Sequence, residues 1–287
     1  MIAKISVIRK IPTGDAGCSN LSSIASNGNK LWACKVSSDN TEAIIYHCPD
    51  ISSASPILEP YPIVANLLGH ASGMTCNSNY LLIGCKQPPG SKDKYICRIP
   101  IKAIPTGKYG SYKVLTNSLN VKPGAIASYK PYQVIIRNSQ ESTVMEDGFD
   151  EFWILKFTVD SSDKVTAVTH TDTFYTYMPG YRDIEEYQDI YYDKTKKLLF
   201  VIYNVNFSRT KNQILIYDLS VADGQHSGRT CYKKDEAVTV DFSEDAQYSK
   251  YEVESATLDA NRYLILACNI EGKGVSDAIV RVTNRKW

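Results

Sequence analysis

The sequence has no excess charge of either sign and no long hydrophobic run. Its 32 basic and 31 acidic residues give a formal net charge of +1 over 287 residues. A general electrostatic attraction to nucleic acid or to an anionic membrane is therefore not expected. No stretch reaches the roughly 20 consecutive apolar residues that a transmembrane helix needs, so no transmembrane segment is predicted.

A signal peptide is also not recognisable in the first residues. Residues 1–11, MIAKISVIRKI, interrupt their apolar side chains with Lys4, Ser6 and Arg9, whereas a signal peptide has a continuous apolar core. The alternation of apolar and polar residues is typical of a β-strand. The pattern leaves open whether Met1 is native or replaces a cleaved signal.

The short motifs of the commoner enzyme classes are missing. The sequence contains no GxSxG nucleophile elbow, no phosphate loop, no HExxH and no dinucleotide fingerprint. Neither a cofactor nor a metal site is predicted. The usual patterns of serine hydrolases, kinases, metalloproteases and dehydrogenases therefore give no support for those functions.

The eight cysteines lack CxxC pairs and zinc-ligand spacing. Cys34, Cys76, Cys85, Cys97 and Cys268 lie in apolar, strand-like runs, where a free thiol behaves as a small core residue. Reduced, structural cysteines favour a cytoplasmic or other reducing compartment. A flexible-looking GDAGCSN segment predicts that its cysteine, at position 18, is the most exposed thiol.

Internal repeats are the strongest positive signal. Five successive segments share one order: a short strand of small or polar residues, a polar turn, a strongly apolar strand, a hairpin and a third strand. Ile24, Met74, Ile126, Ile190 and Ala256 occupy equivalent positions, at intervals of 50, 52, 64 and 66 residues. Periods near 40 to 50 residues are typical of propeller blades, and no sustained helical period is present.

These repeats predict one all-β domain, residues 1–287, with the fold of a five-bladed β-propeller. Residues 111–117, 167–174 and 237–242 are placed to form the outermost strands of blades two, three and four. No residues remain for such a strand after the last blade. The N-terminal strand, residues 2–11, is therefore expected to pair into that blade and close the ring, which removes an exposed sheet edge.

The starts of the five innermost strands should meet around one axis and line a central funnel. Polar residues occur at four of these five starts, and the third offers only Pro123 and Gly124. The starts carry Asn20 and Ser22; His70 and Ser72; Tyr187, Gln188 and Asp189; and Tyr251, Glu252 and Glu254. As a ligand-binding set the sequence predicts His70, Ser72, Tyr187, Gln188, Asp189, Tyr251, Glu252 and Glu254.

Two interpretations of these residues stay open. Glu252 and Glu254 are two apart on a strand and should point to the same face, and with Asp189 they would form a carboxylate cluster. Paired carboxylates about 5 to 9.5 Å apart catalyse glycoside hydrolysis. The alternative is that the acids accept hydrogen bonds from neighbouring strands and hold the ring together. His70 could likewise face the funnel or tie two inner strands.

At the blade starts and second strands the chain resembles the helveticin J type of large bacteriocin-like protein. The resemblance is carried by GHASGMTC with YLLIGCKQPPG and YICRIPI, by EYQDIYYD before LLFVIYN, and by YEVESATLD before RYLILACN and AIVRVTNRKW. The matching positions are His70, Gln188, Glu254 and Ser255. The resemblance implies a secreted antibacterial protein that acts at the bacterial envelope, with no catalytic residues to carry over.

The leading hypothesis is a recognition propeller that binds a glycan, a cell-wall fragment or a peptide in its funnel, as an antibacterial effector. The alternative from a different class is a glycosidase or related hydrolase that uses Asp189, Glu252 and Glu254 as its catalytic residues. A scaffold whose rim loops bind protein is the third hypothesis. The sequence leaves open the ligand, the oligomeric state and the compartment, which is extracellular if the bacteriocin resemblance holds.

Overall fold

A computed structural model gives the architecture. It describes residues 1–12, 14–63, 67–85, 95–106, 113–119, 121, 123–138, 148–177, 184–205, 211–226, 228–242, 248–272 and 276–287. Strands dominate these residues. The helices among them are short 3-10 segments at Asp15–Gly17, Ile101–Thr106 and Asn117–Leu119.

Two antiparallel sheets of four strands come first after the N-terminal strand. Group 1 consists of β2 (Asn20–Asn27), β3 (Lys30–Val36), β4 (Ala43–Cys48) and β5 (Glu59–Ile63). Group 2 consists of β6 (Gly73–Cys76), β7 (Tyr80–Cys85), β8 (Tyr95–Pro100) and β9 (Lys113–Leu115). In each group the strands pair in chain order, as a meander does.

The next two meanders share one nine-stranded sheet. Group 3 consists of β10 (Ile126–Lys130), β11 (Gln133–Arg137), β12 (Phe149–Val159) and β13 (Val165–Tyr177). Group 4 consists of β14 (Ile184–Asp193), β15 (Leu198–Val205), β16 (Lys211–Asp218) and β18 (Arg229–Asp241), with the short β17 (Gly224–His226) beside β18. The groups are joined by a parallel pairing of three residues between β13 and β18, at Tyr175–Tyr177 and Cys231–Lys233.

The two ends of the chain meet in the last sheet. Group 5 consists of β19 (Tyr248–Leu258), β20 (Leu264–Gly272), β21 (Asp277–Val282) and the N-terminal strand β1 (Ile5–Ile11). β1 runs antiparallel to β21, with Ile5 opposite Val282 and Ile11 opposite Asp277. The alternating N-terminal sequence therefore forms a strand that covers the edge of the C-terminal sheet.

The innermost strands of the five groups contact one another in a cycle. β2 contacts β6, β6 contacts β10, β10 contacts β14, β14 contacts β19, and β19 contacts β2. Within the described residues, five apolar clusters lie between successive groups, the last of them between groups 5 and 1. The predicted all-β, propeller-like fold is confirmed. Hydrogen bonds divide the described residues into four sheets rather than five, because β13 and β18 join groups 3 and 4.

All eight cysteines are free and buried. Burial raises the pKa of the Cys76 and Cys268 thiols to about 12, so both are neutral core groups. The prediction that Cys18 is the most exposed thiol is wrong: its side chain is 1% exposed and packs with Ile11 and Leu21. The glycine-rich sequence around it looked flexible, but this segment folds onto the apolar cluster between groups 5 and 1.

Group 2 and group 3 approach so closely that a glycine is required at position 84. A β-carbon added to Gly84 would lie 2.3 Å from the carbonyl oxygen of Pro123 and 2.5 Å from that of Gly124. These carbonyl oxygens belong to the backbone, so they cannot move aside as the end of a flexible side chain can. Gly84 thus lets the second strand of group 2 pack against the entry to β10.

We expect Gly84→Ala to lower the free energy of unfolding by about 1 to 3 kcal/mol, the usual cost of overpacking. Gly124→Ala is the matched control, because a β-carbon there meets no atom within 4 Å. Urea denaturation of both variants measures the difference. Equal stabilities would contradict the close packing of these two groups.

Candidate functional site

Five equivalent positions surround the axis of the molecule. Each immediately precedes one of the repeat positions that the sequence identified, and four of the five residues are small. They are Ser23, Gly73, Ala125, Asp189 and Ser255. These residues belong to or directly precede the five inner strands, so the structure brings the equivalent positions of all five repeats together.

Asp189 occupies the centre of this arrangement and is 0% exposed. Its Oδ1 accepts a hydrogen bond from the Ile126 amide at 3.3 Å, and its Oδ2 accepts one from the Met74 amide at 3.4 Å. Ser255 Oγ lies 2.6 Å from Oδ2. Burial raises the pKa of this carboxyl to about 8, against the opposing effect of the hydrogen bonds.

Ser255 extends the network to the first inner strand. Its Oγ lies 3.2 Å from the Ile24 amide nitrogen, which donates to it, and 3.3 Å from the Ile24 carbonyl oxygen. A serine hydroxyl has one proton to donate. With Asp189 protonated, the carboxyl donates to Ser255 and Ser255 donates to the Ile24 carbonyl. All five inner strands are thereby linked through Asp189 and Ser255.

β-Bulges shape three of the inner strands at equivalent places. The strand register shifts between Leu21 and Ser23 in β2, between Tyr187 and Ile190 in β14, and between Val253 and Ser255 in β19. A bulge inserts one residue without a partner and reverses the alternation beyond it. Glu252 and Glu254 would share one face on an unbroken strand, and the bulge at Glu254 removes the basis for that prediction.

The predicted residues of group 2 lie beside the neighbouring group. His70 is half-buried, and its Nδ1 is 2.9 Å from Oδ1 of Asn40, in the turn between β3 and β4. Ser72 is also half-buried, and its Oγ is enclosed without a hydrogen-bond partner among the described residues. The hydrogen bond between His70 and Asn40 agrees with a role for His70 in connecting groups 1 and 2. Ligand binding by His70 and Ser72 stays a prediction.

Tyr187 and Gln188 start group 4, and both are half-buried. The Arg137 guanidinium lies over the Tyr187 ring, 3.8 Å from its centre. Its Nε atom is 2.6 Å from Oδ1 of the buried Asp150. Tyr203 donates to the other Asp150 oxygen at 3.1 Å. This buried cluster joins groups 3 and 4, and burial raises the pKa of Tyr187, which keeps its hydroxyl neutral.

The predicted residues of group 5 differ in burial. Tyr251 is 0% exposed, and its hydroxyl donates to Cys268 Sγ at 2.9 Å. Glu254 is buried, whereas Glu252 is half-buried and accepts a hydrogen bond of 3.4 Å from Asn204 Nδ2. Of the three predicted catalytic carboxylates, Asp189 is therefore enclosed at the axis, Glu254 is buried, and Glu252 retains partial solvent access.

A cavity of about 390 Å³ opens at the opposite end of the inner strands, where β2, β6, β14 and β19 finish. Its lining includes the serine and threonine hydroxyls of Ser26, Thr75, Ser78, Ser128, Thr195 and Thr257. Charged residues stand at its wall and rim. They are Asp193, Lys194, Asp259 and Arg262. These residues lie at strand ends and were not predicted from the sequence, although TCN, YYD and TLD place polar residues at the ends of β6, β14 and β19.

Both acids of the cavity wall already have a basic partner. Arg262 contacts both carboxylate oxygens of the buried Asp193 through its two terminal nitrogens. Arg281 Nε lies 3.3 Å from Asp259 Oδ2, and the Tyr263 amide donates to Asp259 Oδ1 at 2.9 Å. Lys194 is exposed; desolvation of its ammonium lowers its pKa, and the Cys76 thiol acts in the opposite direction.

No helix in the described ranges is long and apolar enough to span a bilayer. In the same ranges, no group of three or more His, Cys, Asp or Glu side chains is arranged to hold a metal ion.

Comparison with known proteins gives similarity of structure alone. No family model matches the chain, and no curated protein matches it. Among solved structures, Hsv2 from Kluyveromyces lactis is 12% identical, with a TM-score of 0.31 over 90% of this chain, which spans 61% of the Hsv2 chain. A protein of unknown function from Dyadobacter fermentans is 8% identical, with a TM-score of 0.35 over 98% of this chain and 86% of the other. The fold assignment rests on the strand pairing described above.

Proposed function

We propose that the chain is a closed five-bladed β-propeller that recognises a small polar ligand, a glycan or a cell-wall fragment, in its axial cavity. The cyclic contacts of the inner strands and the pairing of β1 with β21 support the closed ring. In this interpretation groups 1 to 5 are the blades. The nine-stranded sheet is two blades whose outer strands meet over three residues.

The observation that carries the recognition role is the axial cavity. Its volume of about 390 Å³ falls within the range of roughly 300 to 1,000 Å³ that small-molecule sites occupy. Hydroxyl, amide and ammonium side chains on its wall suit a hydroxylated ligand. A peptide is a less favoured ligand, because the aromatic residues of the lining, among those that the structure describes, are Tyr191 and Tyr192, and both pack with apolar clusters between groups.

The hydrolase alternative has less support from the same geometry. A glycosidase needs two carboxyl groups that reach the substrate from opposite sides. Asp189 accepts inter-strand hydrogen bonds, and Asp193 and Asp259 are each held by arginine. The bacteriocin resemblance implies an antibacterial role, and we propose that the ligand is recognised at the bacterial envelope. The protein would then be secreted.

Saccharide binding with a blocked cavity tests the proposal. Ala260 is exposed at the cavity rim, so Ala260→Trp should obstruct the mouth without disturbing buried packing. We expect binding of a peptidoglycan-fragment and monosaccharide panel, measured by saturation-transfer NMR, to fall at least tenfold in this variant. Ala222→Trp, at an exposed residue outside the cavity lining, should bind like the parent protein.

A third variant tests the opposite mouth. Glu252→Ala removes the partly accessible carboxylate at the strand starts. Loss of binding in this variant with full binding in Ala260→Trp would overturn the placement of the ligand in the cavity. Absence of binding to every saccharide would overturn the recognition role itself.

A further inference from the structure

Hydrogen-bond donors are still available in the axial cavity. Thr75 Oγ1 accepts the Ser128 amide at 3.0 Å, which leaves the Thr75 hydroxyl proton available. Asn77 Oδ1 accepts the amides of Asn79 and Tyr80 at 3.0 and 2.9 Å, which leaves its Nδ2 to donate. The lining residue Ser128 offers a further hydroxyl.

Several acceptors of the cavity wall are already in use, and Asp259 Oδ2 is held by its ion pair with Arg281 without a hydrogen bond. Ser26 Oγ donates to the Leu258 carbonyl at 2.6 Å and lies 2.6 Å from Thr257 Oγ1, so these two hydroxyl protons are consumed internally. The Ser26 carbonyl accepts the Cys76 thiol at 2.9 Å. Asp193 Oδ1 accepts the Thr195 amide at 3.0 Å in addition to its contact with Arg262. These carbonyl and carboxylate oxygens therefore have fewer lone pairs left for a ligand group that only donates.

Lys194 gives the cavity a positive charge that its acids do not neutralise. Asp193 and Asp259 are each matched by an arginine, whereas Lys194 has no ion-pair partner in the part of the chain that the structure describes. The pKa of its neighbour Cys76 is about 12, so that thiol is neutral and supplies no counter-charge. Lys194 lines the cavity and is exposed, so its ammonium is accessible to a ligand from solution.

We propose that the axial cavity binds a small anionic sugar, with the anion on Lys194 and the sugar hydroxyls on Thr75, Asn77 and Ser128. This inference rests on the proposed recognition function and adds the charge class of its ligand. A charge-assisted hydrogen bond is roughly twice as strong as a neutral one, so the anion contributes selectivity. The donor groups of the wall meet the acceptor oxygens of a carboxylate or a phosphate.

The test compares sugars that share one ring and differ in charge. Calorimetric or NMR titration with glucuronate, glucose 6-phosphate and glucose should give Kd values at least tenfold lower for one or both anions than for glucose. The two anions distinguish a carboxylate ligand from a phosphate ligand. In Lys194→Gln the ratio of the glucose Kd to the anion Kd should fall to about one, because glutamine carries no charge to pair with the anion.

Lys196→Gln is the matched control, because Lys196 is an exposed lysine of the same turn that does not line the cavity. It should keep the full preference for the anion. Equal affinities for anion and glucose, or a preference that survives Lys194→Gln, would overturn the anionic assignment and leave the recognition function intact. Failure of every sugar to bind would overturn the recognition function as well.

Discussion

Replacing Asp189 by alanine is expected to lower the free energy of unfolding by about 3 to 5 kcal/mol. The change leaves the buried amides of Met74 and Ile126 without their acceptor and removes the partner of Ser255. Each buried polar group left unsatisfied costs about 1 to 3 kcal/mol. Because these groups belong to different inner strands, we expect the variant to weaken the contacts among all the inner strands. Urea denaturation at pH 6 measures the effect.

The same carboxyl predicts a pH dependence of stability with a definite sign. Its pKa is about 8 in the folded protein against 3.8 for an ordinary aspartate. Between these values the folded state holds a proton that the unfolded state has released, so raising the pH favours unfolding. The contribution is fully present below pH 4 and is lost progressively up to about pH 8. The slope for this one group is at most about 1.4 kcal/mol per pH unit.

Asp189→Asn isolates this contribution. The amide can donate to Ser255 from Nδ2 and accept from the Ile126 amide at Oδ1, and it does not titrate. Its Nδ2 cannot accept the Met74 amide as Oδ2 does, so the variant loses that hydrogen bond equally at every pH. We expect the asparagine variant to gain stability relative to the parent protein as the pH rises from 5 to 9. Asp235→Asn, at an exposed aspartate, is the control and should follow the parent protein. Parallel pH profiles for Asp189→Asn and the parent would contradict a buried, protonated Asp189.

Lys35→Met is expected to lower the free energy of unfolding by about 3 to 5 kcal/mol. Lys35 and Asp277 are both 0% exposed, and their Nζ and Oδ2 atoms are 2.8 Å apart. Lys35 also donates to the Pro12 carbonyl at 2.5 Å, and Asp277 accepts the Ile270 amide at 3.1 Å. Removing the lysine leaves a buried carboxylate without its cation, which is the costly way to break such a pair.

The double variant Lys35→Met with Asp277→Asn should recover much of this loss. Asparagine keeps the acceptor for the Ile270 amide and carries no charge that must be buried. Denaturation of both single variants and the double variant forms a thermodynamic cycle whose coupling energy reports the pair. Additive effects of the two substitutions would contradict a direct interaction between group 1 and group 5.

The repeat pattern determined most of the architecture. Ile24, Met74, Ile126 and Ile190 were aligned from the sequence, and in the structure their backbone amides all donate to Asp189 or Ser255. Strand composition and the two-residue period depend on local chemistry and on a burial pattern that each repeat carries, so they can be inferred along the chain. The predicted outer strands also occur, as β9, β13 and β18, and β1 covers the edge of β21.

The site depended on features that no local pattern contains. The bulges in β2, β14 and β19 reverse side-chain alternation, so Glu252 and Glu254 could not be placed by counting residues. His70, Gln188 and Glu252 remain predicted ligand residues at the strand starts, whereas the cavity lies where the strands end. Which acids already have a basic partner also depends on residues far apart in the sequence, such as Asp193 and Arg262.

By itself the sequence determined the number of repeats, their strands and the equivalent position in each repeat, because these follow from hydrophobic period and turn chemistry. Only the tertiary structure decided that Asp189 is enclosed by five strands, that groups 3 and 4 share hydrogen bonds, and that the cavity opens at the strand ends. The physical reason is that burial and electrostatic pairing are properties of three-dimensional neighbours, which the order of residues along one repeat does not specify.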